Sequence, residues 1–420
     1  MKPLKIKIAG LQFLQFLAWG SWLISVGAYC LHTKQWSASE FGSIFATIGI
    51  AALFMPTLAG IVADKWINAE RLYAILQLGC AASMVMVPQM ETPQQLFWLM
   101  LVNMLCYIPT ISLAFSVSFS VMTQAGMNIV KEYPPLRVFG TLGFASGMWL
   151  TSLSGLETSP LQFYISAASS LAVAVLAMSM PQCRPSGSTA GSVAQQFLSF
   201  GKLFADKRFG AFFIFSGLLG VSMQLSNAYA GTFLHDFSSN PLYSDSIMIR
   251  FPAVIVSIGQ MSEMFFVLLV PYFLTRYSVK TVMLISMLAW VARWLLLGFG
   301  NPGELWWMII LSMLVWGVAF DFFNLAGSLF LETNVDNGMK ATAQGLLQVM
   351  IIGVGGTLGG FASGWMIDAF FTHDGIRDWR SIMIAFAAFN LLVAFSFMLF
   401  FKGSVSAKSP SGPSDIKGAS

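Results

Sequence analysis

An all-α membrane protein of twelve transmembrane helices in two six-helix halves is the fold class this sequence predicts. Three observations predict it. Twelve apolar stretches fill the 420 residues, and the chain is 56% hydrophobic but only 10% charged, against roughly 25% charged in a soluble domain. Nearly every charge falls between the stretches. The longest gap follows the sixth stretch and divides the chain six and six.

A helix needs about 20 residues to cross the hydrocarbon. The first span is expected at about 8–31, behind Lys2, Lys5 and Lys7. It is too long for the apolar region of a signal peptide, so it reads as an uncleaved helix. Further spans are expected at about 40–63, 70–90, 95–124, 135–157 and 160–180. A linker over 181–208 opens with Pro181, Pro185, Ser186, Gly187, Ser188 and Thr189, then turns weakly amphipathic through Phe197, Leu198, Leu203 and Phe204. The last six spans are expected at about 209–236, 251–276, 279–299, 304–333, 340–369 and 380–402. Those longer than the minimum tilt or extend beyond the bilayer. Span eleven carries Gly353, Gly355, Gly356, Gly359, Gly360 and Gly364, a spacing that permits close, slidable helix contact. The domains are therefore 1–180, the linker 181–208, 209–402, and a Ser/Pro/Gly/Lys-rich tail, 403–420, expected to be disordered.

Orientation follows from the 22 lysines and arginines. Lys34, Arg250, Arg377 and Arg380 fall in odd-numbered gaps, Arg137 and Arg293 inside spans, and all the others in the tails and even-numbered gaps. Both termini are expected in the cytoplasm. The net charge of +4 is no nucleic-acid signal, because the basic residues sit at span ends. Cys30, Cys80 and Cys106 read as small apolar residues in spans and Cys183 as a loop residue, with no metal or redox spacing. His32, His235 and His373 lie in outward gaps or at span ends, and neither H-E-x-x-H nor G-x-S-x-G occurs. An enzyme, a metal site and a cofactor are not expected.

Ionised groups at mid-membrane are costly and usually do work. Glu263 and Asp321 lie near the middle of spans eight and ten. Gln224 and Asn227 are three apart in span seven, as are Gln260 and Glu263 in span eight, so each pair shares a helix face. Amides offer donors and acceptors suited to the polar edge of a neutral ligand. Asp321 stands among Trp316, Phe320, Phe322 and Phe323, which suggests a stacking surface beside a hydroxyl acceptor. On span five, Arg137, Thr141 and Phe144 share a face, although Arg137, just behind Pro134-Pro135, is also placed to snorkel from a first turn. Arg293 offers a counter-ion for either acid. The competing reading of these polar groups is that they bond one another and hold helices together. Gly60, Asp64 and Lys65 close span two as G-x-x-x-D-K, where Gly60 permits close approach and Asp64 can cap a neighbouring helix.

That motif, its position and the six-plus-six layout resemble the major facilitator superfamily, in which the motif latches the cytoplasmic side as the halves rock. Several segments together resemble its bacterial nucleoside permeases, the nucleoside:proton symporters. They include Leu14 to Trp22, Gly49 to Trp66, Pro134 to Phe144, Gly231 to Phe237, Ala319 to Asn324 and Ala343 to Gly345. The resemblance implies substrate contacts at Arg137, Thr141, Gln224, Asn227, Gln260, Glu263 and Asp321, with Phe144 and Phe320 as aromatic contacts. Phe115 stands where close members carry an asparagine, and Trp316 where they carry a tyrosine. Both changes remove a polar group from pore-facing positions. The resulting expectation is a proton-coupled nucleoside importer of a bacterial inner membrane, acting as a monomer, with Glu263 or Asp321 carrying the proton. The alternative is a carrier of another small polar solute, a sugar or a drug.

Overall fold

The computed structural model describes residues 2–185, 193–243, 246–336 and 338–401. The expected tail at 403–420 and linker residues 186–192 lie outside them. Helical elements occupy each of the twelve expected stretches. Among the described residues, nine helices are long and apolar enough to cross a membrane, and ten if the bent pair Pro252–Phe266 and Val270–Arg276 is one span. That pair bends by 52° where Pro271 enters the second helix, since proline lacks the donor that would continue the ladder. Of the two remaining stretches, the first is a helix Lys2–Gly20 broken by a turn before Val26–Ala28 and a π-helical Tyr29–Thr33. The other is Ile129–Leu153, whose apolarity is diluted by Arg137, three glycines and several hydroxyl residues.

Local chemistry sets the helix starts. Ser37 with Glu40 and Thr92 with Gln95 form reciprocal capping boxes for Ala38–Ala52 and Pro93–Gln124. Asp206, Ser278 and Asp378 accept backbone N–H groups at the starts of spans seven, nine and twelve. Span five starts earlier than expected, at Ile129, because Asn128 caps it by accepting from Lys131. Arg137 therefore sits beyond the second turn and not in the first. A two-residue β-hairpin, Thr372–His373 with Ile376–Arg377, turns at Asp374 and Gly375, both at positive φ.

Inside the first six helices, Gln15 gathers a buried polar cluster. It donates to Thr110 at 2.8 Å and accepts from Tyr73 at 2.8 Å and from Gln77 at 2.5 Å. Here the helix-holding reading of polar residues is the right one.

Among the described residues the main contacts between the first six and the last six are made by spans one and seven, two and eleven, and five and eight. Glycines make the closest of these contacts possible. A Cβ at Gly42 would lie 2.3 Å from the Gly360 carbonyl oxygen, and one at Gly49 would lie 2.2 Å from the Thr357 nitrogen. These contacts seal the end that carries the hairpin. The opposite end carries the linker and opens into a cavity.

Candidate functional site

A cavity of about 610 Å³ lies between the two groups of six helices, within the range typical of small-ligand sites. Trp19, Thr57, Ser112, Phe115, Arg137 and Gln348 are among its lining residues, and Phe200 brings the linker helix Val193–Ala205 to its wall. Gln348 ends the helix Lys340–Gln348, where span eleven turns π-helical over Val349–Val354, a distortion frequent at functional sites.

Arg137 is the one candidate residue on that wall. It does not snorkel from a helix end. Its guanidinium lies 5.0 Å from the Phe16 ring centre and 5.4 Å from that of Phe115, a cation–π cradle. Gly140 leaves room for it, since a Cβ there would sit 2.8 Å from the guanidinium. Phe144, two turns on, meets Trp19 edge-on at 6.2 Å. Trp19 also contacts Tyr107 at 5.4 Å, and its indole nitrogen has no partner among the described residues. Thr141 between them is half-buried.

Across the interface, Trp149 of span five donates to Ser257 of span eight at 2.8 Å. Gln260 and Glu263 follow at helical spacing on that face, both half-buried. Spans eight and ten approach closely because Gly317 has no side chain: a Cβ would lie 2.7 Å from the Ser262 carbonyl oxygen. That approach lets the Trp316 indole donate to Glu263 at 3.5 Å. Trp316 stacks on Phe320 at 5.7 Å and 8°. The loss of a polar group expected there does not occur, because the indole supplies an N–H in its place.

Asp321 is buried, and among the described residues one of its carboxylate oxygens has no hydrogen-bond partner. It is near enough to Glu263 for their charges to interact, and Glu263 in turn senses Arg137. In span seven, Asn227 donates to Gln224 at 3.3 Å, while the Gln224 amide nitrogen has no partner among the described residues. That nitrogen lies 2.8 Å from where a Cβ on Gly356 would be. The glycines of span eleven therefore also make room for a candidate binding residue.

Three expectations change. Arg293 is no counter-ion: among the described residues it meets no carboxylate, bonding instead to Ser226 at 2.8 Å and the Ser312 carbonyl at 2.5 Å, with its guanidinium 5.0 Å from the Trp316 ring. Phe322 and Phe323 are turned into the core against Phe273 and Phe212, which leaves Phe320 as the stacking face beside Asp321. Around Gly60 a Cβ would meet nothing within 4 Å, and among the described residues Asp64 makes no capping hydrogen bond, while Asn68 stands at the N-cap of span three. Sequence reasoning missed Trp19 and Phe16 as site residues, although the segment containing them carried part of the resemblance.

The sequence profile of a family described as Nucleoside H+ symporter matches residues 1–406. Xanthosine permease of Escherichia coli (strain K12) is 40% identical over 400 residues, covering 94% of this chain and 96% of that protein. Nucleoside permease NupG of the same organism is 41% identical over 404 residues, covering 95% and 96%. A crystal structure of nucleoside transporter NupG matches with a TM-score of 0.90 and 40% identity, covering 96% of this chain and 100% of that one. A bacterial homologue of the lysosomal transporter Spinster, at 14% identity, shares the fold with a TM-score of 0.71.

Proposed function

The chain belongs to the nucleoside H+ symporter family, and from that footing we propose how it moves its cargo. It is a multi-pass membrane transporter that carries nucleosides with protons. The family decides between nucleosides and the sugar or drug alternative. We place it in a bacterial inner membrane with both termini cytoplasmic, because Lys and Arg concentrate at the end that bears them. The open cavity then faces the cytoplasm and the sealed end faces outward. Residues 1–180 and 209–402 are the two bodies that rock about the site.

The observation that carries the site reading is a pair of unsatisfied polar groups in the last six helices, one on span ten and one on span seven. The free oxygen of Asp321 and the free amide nitrogen of Gln224 are buried without protein partners, a costly state that a bound ligand relieves. In this reading Asp321 accepts ribose hydroxyls. Gln224, Asn227 and Gln260 read polar edges, Phe320 and Phe144 stack the base, and Arg137 with Thr141 contacts the ligand from span five. Glu263 carries the proton. Competition by unlabelled nucleosides for radiolabelled uridine uptake, in vesicles with an imposed pH gradient, tests the substrate assignment and maps base preference.

Two expected results follow from these roles. A protonophore abolishes accumulation; accumulation that survives it and requires sodium overturns proton coupling. Alanine at Gln224, Asn227 or Gln260 weakens binding several-fold to tens-of-fold, since a lost hydrogen bond costs about 0.5–1.5 kcal/mol and more where its partner is left unsatisfied. Melting temperature stays near wild type. Unchanged binding with lower melting temperature assigns these amides to helix packing.

A further inference from the structure

The sealed end is held by polar contacts that cross between the first six and last six helices. Asp368 of span eleven accepts the Ala38 and Ser39 amides at 3.0 and 2.7 Å, capping span two. His32 of span one lies 2.7 Å from Asp236 of span seven. Glu157, just after span five, lies 2.8 Å from His235 of span seven, and its other oxygen accepts the Ala253 amide at 3.0 Å. The two imidazoles face each other with ring centres 5.9 Å apart.

The two histidine–acid pairs are not equivalent. Asp236 also receives Arg377, at 3.1 Å, and the Trp379 indole N–H. A permanent cation therefore neutralises it whatever the charge on His32. Glu157 is only 4% exposed, and among the described residues His235 is its one cationic partner. Of the other charges nearby, Asp368, Asp378 and Arg380 line the outer cavity of about 930 Å³ that also reaches His32 and Asp236. Lys34 is turned to the Met90 carbonyl. A buried carboxylate without a counter-charge is strongly unfavourable. The closed end therefore holds Glu157 stably only while the pair carries a proton.

We propose that Glu157 and His235 form a proton-binding site bridging the two bodies, which locks the outer gate when occupied. The proton is exchanged with the outer face and returns there, so it is separate from the one carried with nucleoside. The sign follows from linkage: opening parts Glu157 from His235, so the closed state binds the proton more tightly and acid favours closure. A site that binds its proton tenfold more tightly in the closed state shifts the closed-to-open ratio tenfold across its titration. The proposal rests on the rocking of two bodies described above.

The test uses the full chain in lipid nanodiscs without nucleoside. Spin labels are placed at Glu91→Cys and Leu242→Cys, exposed sites near the gate on opposite bodies. The background is Cys106→Ala, the other native cysteines being buried. From pH 8 to pH 5 the closed-to-open ratio of the wild type should rise at least tenfold. At pH 8 His235→Gln should be open-shifted and Glu157→Gln closed. Combining the two should restore closure, showing that the single variant is folded. His32→Gln should keep the pH response. A flat wild-type profile, a full response in His235→Gln, or its loss in His32→Gln overturns the site. Distances that move with added nucleoside but not with pH overturn the proton site while leaving the rocking reading intact.

Discussion

Glu263→Gln is expected to abolish uphill accumulation of nucleoside while sparing counterflow. The amide mimics a permanently protonated acid and can still accept the Trp316 indole N–H that holds Glu263 at 3.5 Å. Binding and rocking survive, but the proton is never released, so the gradient no longer drives the cycle. Asp321→Asn should behave differently. One oxygen of Asp321 is buried with no protein partner, and hydrogen bonds to charged groups contribute about 1.5–3 kcal/mol. Affinity should fall roughly tenfold to a hundredfold, while residual uptake remains driven by the pH gradient. Counterflow and gradient-driven uptake, measured side by side in proteoliposomes, separate the two phenotypes. Full accumulation in both variants would show that neither acid couples.

The spans were legible because apolar length and charge placement are imposed by the bilayer itself, one stretch at a time. Boundaries were less so. Span five begins six residues earlier than Pro134-Pro135 suggested, because Asn128 caps it and both prolines sit exposed within the helix. Helical spacing correctly put Gln224 beside Asn227 on span seven. Partners on different helices were beyond spacing arguments. Its place inside span nine makes Arg293 a counter-ion candidate, yet its hydrogen bonds go to a serine hydroxyl and a carbonyl. The Gln15 cluster and the Arg137 cradle each draw on residues far apart in sequence. Glu157 and His235 are 78 residues apart, and each alone looks like an ordinary span-end charge.

Gly49→Leu is expected to abolish import by blocking one half of the cycle. In the outward-sealed arrangement a Cβ at Gly49 falls 2.2 Å from the Thr357 nitrogen and 2.6 Å from the Gly356 carbonyl carbon. Backbone cannot yield as a flexible side chain would. Overpacking of this kind typically costs about 1–3 kcal/mol, and here it acts only where spans two and eleven touch. A differential of about 3 kcal/mol depopulates the sealed state more than a hundredfold. The arrangement in which those helices part does not feel the added side chain, so the variant should still fold, insert and bind nucleoside from outside. Gly60→Leu is the contrasting substitution, since a Cβ there meets nothing within 4 Å in the present arrangement. It should leave the sealed state populated, so that any transport defect arises when the cytoplasmic end closes. Labelling of outer-gate cysteines should rise in Gly49→Leu and stay at wild-type levels in Gly60→Leu. Wild-type uptake by Gly49→Leu would mean that spans two and eleven do not need this contact to seal the gate.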